Sequence, residues 1–186
     1  MRKDDVVVVH GAGAIGSFVV AGAAAAGAGA VMAVDVDPGR LEVAAQVGAT
    51  HTVDARETDP LEVVRDLTGS ALADVTVEAS GLVDGMSRVQ RLTRRGGTVL
   101  LVGLPKKEVS FNAVNLILRE IDVMTTVAHV CDVNLPTALD LLAQRDLASL
   151  LVEKVVPLER AVEDALVPMA EGAARGKLLV DTEVTA

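Results

Sequence analysis

A chain of 186 residues, half of them apolar, is long enough to bury one core and short for two domains. Its 26 acidic residues against 17 basic leave a net charge of −9, which repels phosphate backbones and argues against nucleic-acid binding. One cysteine excludes an internal disulfide or multi-cysteine metal cage, no apolar run reaches the about 18 residues of a membrane span, and Asp4 and Asp5 stand where a secretory leader is basic, so a soluble cytoplasmic protein is expected.

Residues 6–9 are the first predicted strand, a valine run of the kind found in parallel strands covered on both faces. A helix over 14–26 follows and stops at Gly27, and a second strand covers 31–34. Pro38 and Pro60 open helices over 38–47 and 60–67, with Gly48 and Gly69 at their ends and a weak strand near 50–53 between them. Proline costs little in a first helical turn, and glycine accepts the left-handed backbone past the last. Next come a strand over 75–77, a helix over 84–93 stopped by Gly96, a strand over 98–102, a helix over 112–119 and a strand over 121–123. Beyond Val130 the pattern predicts a helix over 135–142, a strand over 154–156, a helix over 158–171 and a last strand over 177–180. Residues 21–30 are biased toward Ala and Gly and read as a helix end and turn. The alternation predicts an α/β fold, a Rossmann-type doubly wound parallel sheet with right-handed crossovers. It forms a single dinucleotide-binding domain over 1–186, with a core over 1–130 and a tail over 131–186.

Gly11-Ala12-Gly13-Ala14-Ile15-Gly16 is a G-x-G-x-x-G sequence that follows a predicted strand and opens a helix. Gly11 permits the tight turn, Gly13 leaves no side chain to block a pyrophosphate, and Gly16 lets the helix approach the sheet. The free N–H groups of the first turn, with the helix dipole, favour an anion. Asp35 ends the second strand 19 residues after Gly16, where a carboxylate accepts the adenosine ribose hydroxyls and repels a 2′-phosphate. NAD is therefore expected rather than NADP. Asp37 starts the turn before Pro38, and Arg40 stands equally as a solvated charge or as a ribose or phosphate contact. Methyltransferase-like adenosine binders share a glycine loop and this carboxylate, but bind no pyrophosphate.

On these residues the chain resembles the nucleotide-binding half of the medium-chain, zinc-dependent alcohol, polyol and threonine dehydrogenases. HGAGAIG, AVDVDPGRLEVAAQVGAT, ADVTVEASG, RRGGTVLLVG and GKLLVD carry the likeness from Val6 to Asp181. Asp35 places it nearer the NAD-using alcohol and polyol branch than the quinone reductases. The resemblance implies that the backbone at Ala14 and Ile15 faces the pyrophosphate, that Ser80 lies on the adenosine side, and that Val102, Gly103 and Leu104 run beside the nicotinamide. It implies that Val127 holds the carboxamide through its backbone and that Lys177 reaches the pyrophosphate. Against this, Val102 and Val127 read as buried strand residues in any case, and Lys177 as a charge that caps the approach to a strand. Family members add an N-terminal catalytic domain with the catalytic zinc ligands and often a structural four-cysteine zinc site. Neither set is in this sequence, so the resemblance implies an excised domain, one subunit of a split enzyme with a separate zinc-domain partner, or lost catalysis. The tail would return to that domain, leaving apolar faces over 135–142 and 158–166 for a partner. Sixth strands pair edge to edge in the family, so a homodimer through 121–123 is expected.

The chain's own candidates for chemistry are sparse, and no catalytic or metal-ligating residue is assigned. His129 and Cys131 could face one side of an extended segment, but zinc needs three or four ligands, so a partly buried histidine and an apolar thiol are the simpler reading. His10 reads as a hydrogen-bonded strand-end residue, with cofactor contact the alternative. His51 reads as a surface residue in a turn, and Asp74 and Glu78 as structural or solvated. The expected function is NAD(H) binding for hydride transfer between an alcohol and nicotinamide, with a non-catalytic NAD(H)-responsive sensor or regulatory subunit as the alternative.

Overall fold

The computed structural model describes residues 1–183 except 129 and 145, and the Gln144 side chain is also outside the description. Strands and helices alternate as β1 (Val6–His10), α1 (Ala14–Ala25), β2 (Ala30–Asp35), α2 (Pro38–Val47), β3 (His51–Asp54), α3 (Pro60–Thr68) and β4 (Ala73–Glu78). They continue as α4 (Gly85–Leu92), β5 (Thr93–Leu101), α5 (Ala113–Leu118) and β6 (Asp122–Thr125). These six strands form one parallel sheet in the order β3-β2-β1-β4-β5-β6. The order reverses between β1 and β4, and a doubly wound sheet binds ligands at the carboxyl ends of strands at such a point.

The valine run of β1 explains its central place. Val7 and Val9 pack on one face against α1 and α2 residues such as Val20, Ala21, Leu41 and Ala44. Val8 points to the other face, with Met32, Val34, Val53 and Val64. Small residues on α1 allow the close approach that an aliphatic core requires. Asp37 and Asp59 cap α2 and α3 by accepting backbone N–H bonds from Gly39 and Leu61, and a proline follows each.

The tail holds α6 (Cys131–Gln144), α7 (Leu147–Leu151), β7 (Val152–Pro157), α8 (Val167–Ala170) and β8 (Lys177–Asp181), with β7 and β8 paired in parallel as a second sheet. Leu147 and Leu151 bury themselves in the α1–α2 cluster, which anchors the tail to the main sheet.

Two expectations fail. Gly96 ends no helix: α4 stops at Leu92, and Gly96, at φ +64°, lies inside β5 beside an irregularity in the β4–β5 register. Buried Thr93 turns the chain there by donating to the Val89 carbonyl at 2.8 Å and pairing with Thr76 Oγ1 at 2.7 Å. The helix expected over 158–171 is broken into a 3₁₀ turn (Leu158–Arg160), a π-type turn (Val162–Leu166) and α8. Pro168 lacks the N–H that would continue the ladder, and its ring crowds the carbonyl four residues back.

The glycines of the first loop differ in what they tolerate. A Cβ on Gly16 would overlap the Gly11 carbonyl oxygen, whereas one on Gly13 meets nothing within 4 Å. Gly16→Ala should therefore lower the stability measured by urea unfolding by about 1–3 kcal/mol, and Gly13→Ala should leave it within about 0.5 kcal/mol.

Candidate functional site

The loop between β1 and α1 turns at Gly11, whose φ of +98° suits glycine alone. A Cβ there would also come within 2.6 Å of the Ser80 nitrogen, so β4's exit is packed against the turn. Gly13 is the N-cap of α1, with no side-chain cap and no acidic residue in the first turn. The N-terminus of a twelve-residue helix thus opens onto clear space above Gly13, as an anion site requires.

Asp35 sits beside this opening. Its Oδ2 accepts the Ala12 N–H at 2.7 Å, and its Oδ1 accepts the N–H groups of Val36 and Asp37 at 2.7 and 3.0 Å. A carboxylate offers about four acceptor sites, so about one is left free to accept a further donor. The sequence motif points to Asp35 as a ligand contact; what the geometry shows is that it holds the loop. Arg40 approaches with Nη1 at 4.0 Å from Asp35 Oδ1, and its Nε is buried with no hydrogen-bond partner. Arg40 is therefore not a freely solvated charge.

Glu78, at the end of β4, is 4% exposed. Its carboxylate accepts the N–H and hydroxyl of Ser80 and the N–H of Gly81 at 3.3 Å, and a Cβ on Gly85 would crowd it at 2.6 Å. Burial works against its ionisation, but the Ser80 hydroxyl and the backbone N–H groups of Ser80 and Gly81 outweigh burial and hold its pKa below the usual value. Glu78 is structural, as expected. His10 departs from expectation: it is buried at the strand end, but Nδ1 lies 3.9 Å from Glu78 Oε1 and has no hydrogen-bond partner.

A cavity of about 200 Å³ gathers His10, Gly11, Gly13, Asp35, Arg40 and Ser80. Val34, Val36, Ala55, Ala79, Leu82 and Arg88 complete it, and no motif in the sequence marks Val36, Ala55, Leu82 or Arg88. A second hollow of about 360 Å³ joins Ala12, Ala14, Ser17 and Arg40 to Arg175 and Gly176 of the tail. Arg175 Nε also lies 3.5 Å from Asp37 Oδ2, and two basic residues flanking Gly176 were the sequence signal for it. Ile15 is half exposed on α1's first turn. Val102 and Gly103 donate to the Glu78 carbonyl at 2.9 and 2.8 Å, Gly103 borders a small hollow with Leu82 and Phe111, and Leu104 projects beyond them. Neither Val127 nor Val102 is a buried strand residue: Val127 follows β6 and is 79% exposed, and Val102 lies just past the end of β5 and is only partly buried. Lys177 opens β8 and is exposed, next to the hollow at Arg175. His51 is exposed at the start of β3, Cys131 is exposed at the start of α6, and His129 lies outside the described residues. A larger hollow, about 680 Å³, is an open groove along β3 and contains none of the loop residues.

Among the described residues, no group of three or more His, Cys, Asp or Glu could hold a metal ion. No helix among them is long and apolar enough to cross a membrane. Because Glu78 has a lowered folded pKa, its contribution is full above its ordinary value of 4.5 and is lost as pH falls through the lower folded value. Glu78→Gln should cost about 1–3 kcal/mol in urea unfolding at pH 7, and the gap to the wild-type chain should close under acid.

Comparisons with known proteins agree with this geometry. Residues 14–144 match the family described as zinc-binding dehydrogenase. Sorbitol dehydrogenase of Gallus gallus is 35% identical over 161 residues, covering 84% of this chain and 44% of that protein. Sorbitol dehydrogenase of Bacillus subtilis (strain 168) is 35% identical over 124 residues, covering 66% and 35%. The structure of 2R,3R-butanediol dehydrogenase from Bacillus subtilis superposes with a TM-score of 0.88 at 25% identity, over 98% of this chain and 52% of that one. The chain spans half or less of the length of the curated relatives it matches. A glycine loop on a six-stranded doubly wound sheet and a family match over most of its length place it: the chain belongs to the zinc-binding dehydrogenase family and corresponds to that family's NAD-binding region.

Proposed function

We propose that this chain holds NAD(H) for an alcohol or polyol dehydrogenase whose zinc ligands lie outside these residues. The observation that carries the reading is the uncapped α1 N-terminus at Gly13, opening onto a cavity it shares with Asp35, Arg40 and Ser80. The chemistry supplied by the bound nicotinamide is the acceptance or return of a hydride. The chain's own share is binding and orientation. Ala14 and Ile15 offer N–H groups to the pyrophosphate, with the helix dipole behind them. Asp35 accepts a ribose hydroxyl and disfavours a 2′-phosphate, and Arg40 and Ser80 flank the adenosine. Gly11 and Gly16 hold the loop in shape. Val102, Gly103 and Leu104 form the rail beside the nicotinamide, Val127 offers its backbone to the carboxamide, and Lys177 approaches the pyrophosphate from the tail. The matched relatives are dehydrogenases, which supports this reading over a non-catalytic sensor. A cytoplasmic setting goes with it.

The same reading includes a homodimer through β6. That strand is a sheet edge with all four residues exposed, α5 beside it buries none of its residues, and Val114, Ile117, Val123 and Met124 are exposed there. The exposed Val133, Leu135 and Leu139 of α6 fit a surface for the rest of a dehydrogenase.

With no Trp or Tyr, the chain gives a clean background for nicotinamide fluorescence. NADH should bind saturably, NADPH at least tenfold more weakly, and Asp35→Asn should weaken NADH about tenfold or more. Absence of NADH binding would refute the reading. In light scattering the wild-type chain should have the mass of a dimer, and Val123→Lys with Met124→Lys that of a monomer.

A further inference from the structure

His10 and Glu78 stand opposite each other on the neighbouring strands β1 and β4. Val9 and Val77 belong to the cluster on the α1 and α2 side, so strand alternation sends the next residue of each strand to the other face. Both residues are buried there, and His10 Nδ1 lies unpaired 3.9 Å from Glu78 Oε1. The other charged groups around the ring border the glycine-loop cavity or a 60 Å³ hollow between β1, α3 and α4. They are Asp35 with Arg40 at 4.0 Å, Asp59 with Arg91 at 3.7 Å, and Arg88, which is held by Asp84. Among the described residues, Glu78 alone of the carboxylates beside the ring has no arginine or lysine within ion-pair distance. Its Oε1 is nevertheless full. The Ser80 N–H donates to it at 2.9 Å and the Ser80 hydroxyl donates as well, which accounts for both lone pairs. The neutral His10 ring is thereby shut out, and its Nδ1 is left unmet in a buried place, which is costly.

We propose that His10 and Glu78 form a proton-operated clasp between β1 and β4. When the ring takes up a proton from solvent it becomes an imidazolium, and its Nδ1–H displaces the Ser80 hydroxyl from Glu78 Oε1. The hydroxyl is the donor that leaves, because it turns about its own bond while the Ser80 N–H is fixed in the backbone. A charge-assisted bond to a carboxylate is about twice as strong as one from a neutral hydroxyl, and forming it closes the gap by about 1 Å. Release of the proton to solvent reverses the exchange. Ser80 borders the glycine-loop cavity, so its freed hydroxyl is available there, and the new positive charge lies beside the place proposed for an anionic dinucleotide. Both changes strengthen cofactor binding as pH falls. That consequence rests on the NAD(H) reading, whereas the exchange at Glu78 does not.

The test follows the ring nitrogens of the three histidines by NMR in the labelled 186-residue chain, from about pH 8 to about pH 5. The Ser80 and Gly81 amides should shift with the same midpoint as the His10 ring, and His51, exposed at the start of β3, should titrate without moving them. Ser80→Ala removes the competing hydroxyl and should raise the His10 midpoint, and Ser80→Thr, which keeps a hydroxyl, should leave it near that of the wild-type chain. NADH affinity, read by nicotinamide fluorescence, should rise about threefold as the ring is protonated, and by reciprocity saturating NADH should raise the His10 midpoint by about half a pH unit. In His10→Asn the pH dependence of NADH affinity should disappear; if that variant does not fold, the wild-type chain and Ser80→Ala decide the matter. A His10 ring that stays neutral throughout, amides at Ser80 and Gly81 that ignore its titration, or a midpoint unmoved by Ser80→Ala overturns the clasp. NADH affinity that is independent of pH overturns its effect on the cofactor. Absence of NADH binding at any pH refutes the NAD(H) reading, and the amide and Ser80→Ala results still decide the clasp.

Discussion

The hydrogen bond from the Ala12 N–H to Asp35 Oδ2, at 2.7 Å, decides the shape of the cofactor end of this sheet. It ties the glycine loop after β1 to the end of the neighbouring strand β2. Gly11 N–H reinforces it by donating to the Val34 carbonyl at 2.8 Å. On the other side the Ala79 N–H reaches the His10 carbonyl at 2.8 Å, and Gly11 rests against Ser80. The loop is thus held from β2 and from β4 at once. With its other backbone groups engaged, it leaves the α1 N-terminus facing open space, and the same carboxylate that shapes the loop lines the cavity beside it.

Glu78 performs a parallel task on the β4 side. A buried carboxylate is costly unless its lone pairs are met, and Ser80 and Gly81 meet them with donors from the segment that follows β4. The Glu78 carbonyl in turn takes the N–H groups of Val102 and Gly103, which draws the exit of β5 to the same place. Two acidic side chains, Asp35 and Glu78, therefore organise the loops at the switch point of the sheet. Neither needs a metal to balance its charge, because backbone N–H groups do so.

Much of this could be read from the sequence. Unbroken valine runs gave buried parallel strands, Pro38 and Pro60 marked helix starts, and Gly11 to Gly16 with Asp35 marked the cavity, because each signal is local along the chain. The failures have non-local causes. Gly96 reads as a helix stop, but the Thr76–Thr93 contact, 17 residues apart, places it inside a strand. The break before α8 follows from Pro168 in a segment whose apolar pattern still says helix. Arg88 and Leu82 enter the cavity only because β4 lies beside β1, which no spacing rule conveys. The motif spacing points to Asp35 as a ligand contact, whereas its bond to Ala12 emerges only from the folded loop.

A dinucleotide seated on the α1 N-terminus between the ends of β2 and β4 should leave its mark on the backbone amides, so the decisive measurement is amide chemical-shift mapping of the labelled chain with NAD. The largest shifts should fall at Gly13, Ala14, Ile15, Val36 and Ser80, with small shifts along the β3 groove at His51 and Thr52. Shifts centred on that groove, or no saturable shifts at the glycine loop, would refute that placement.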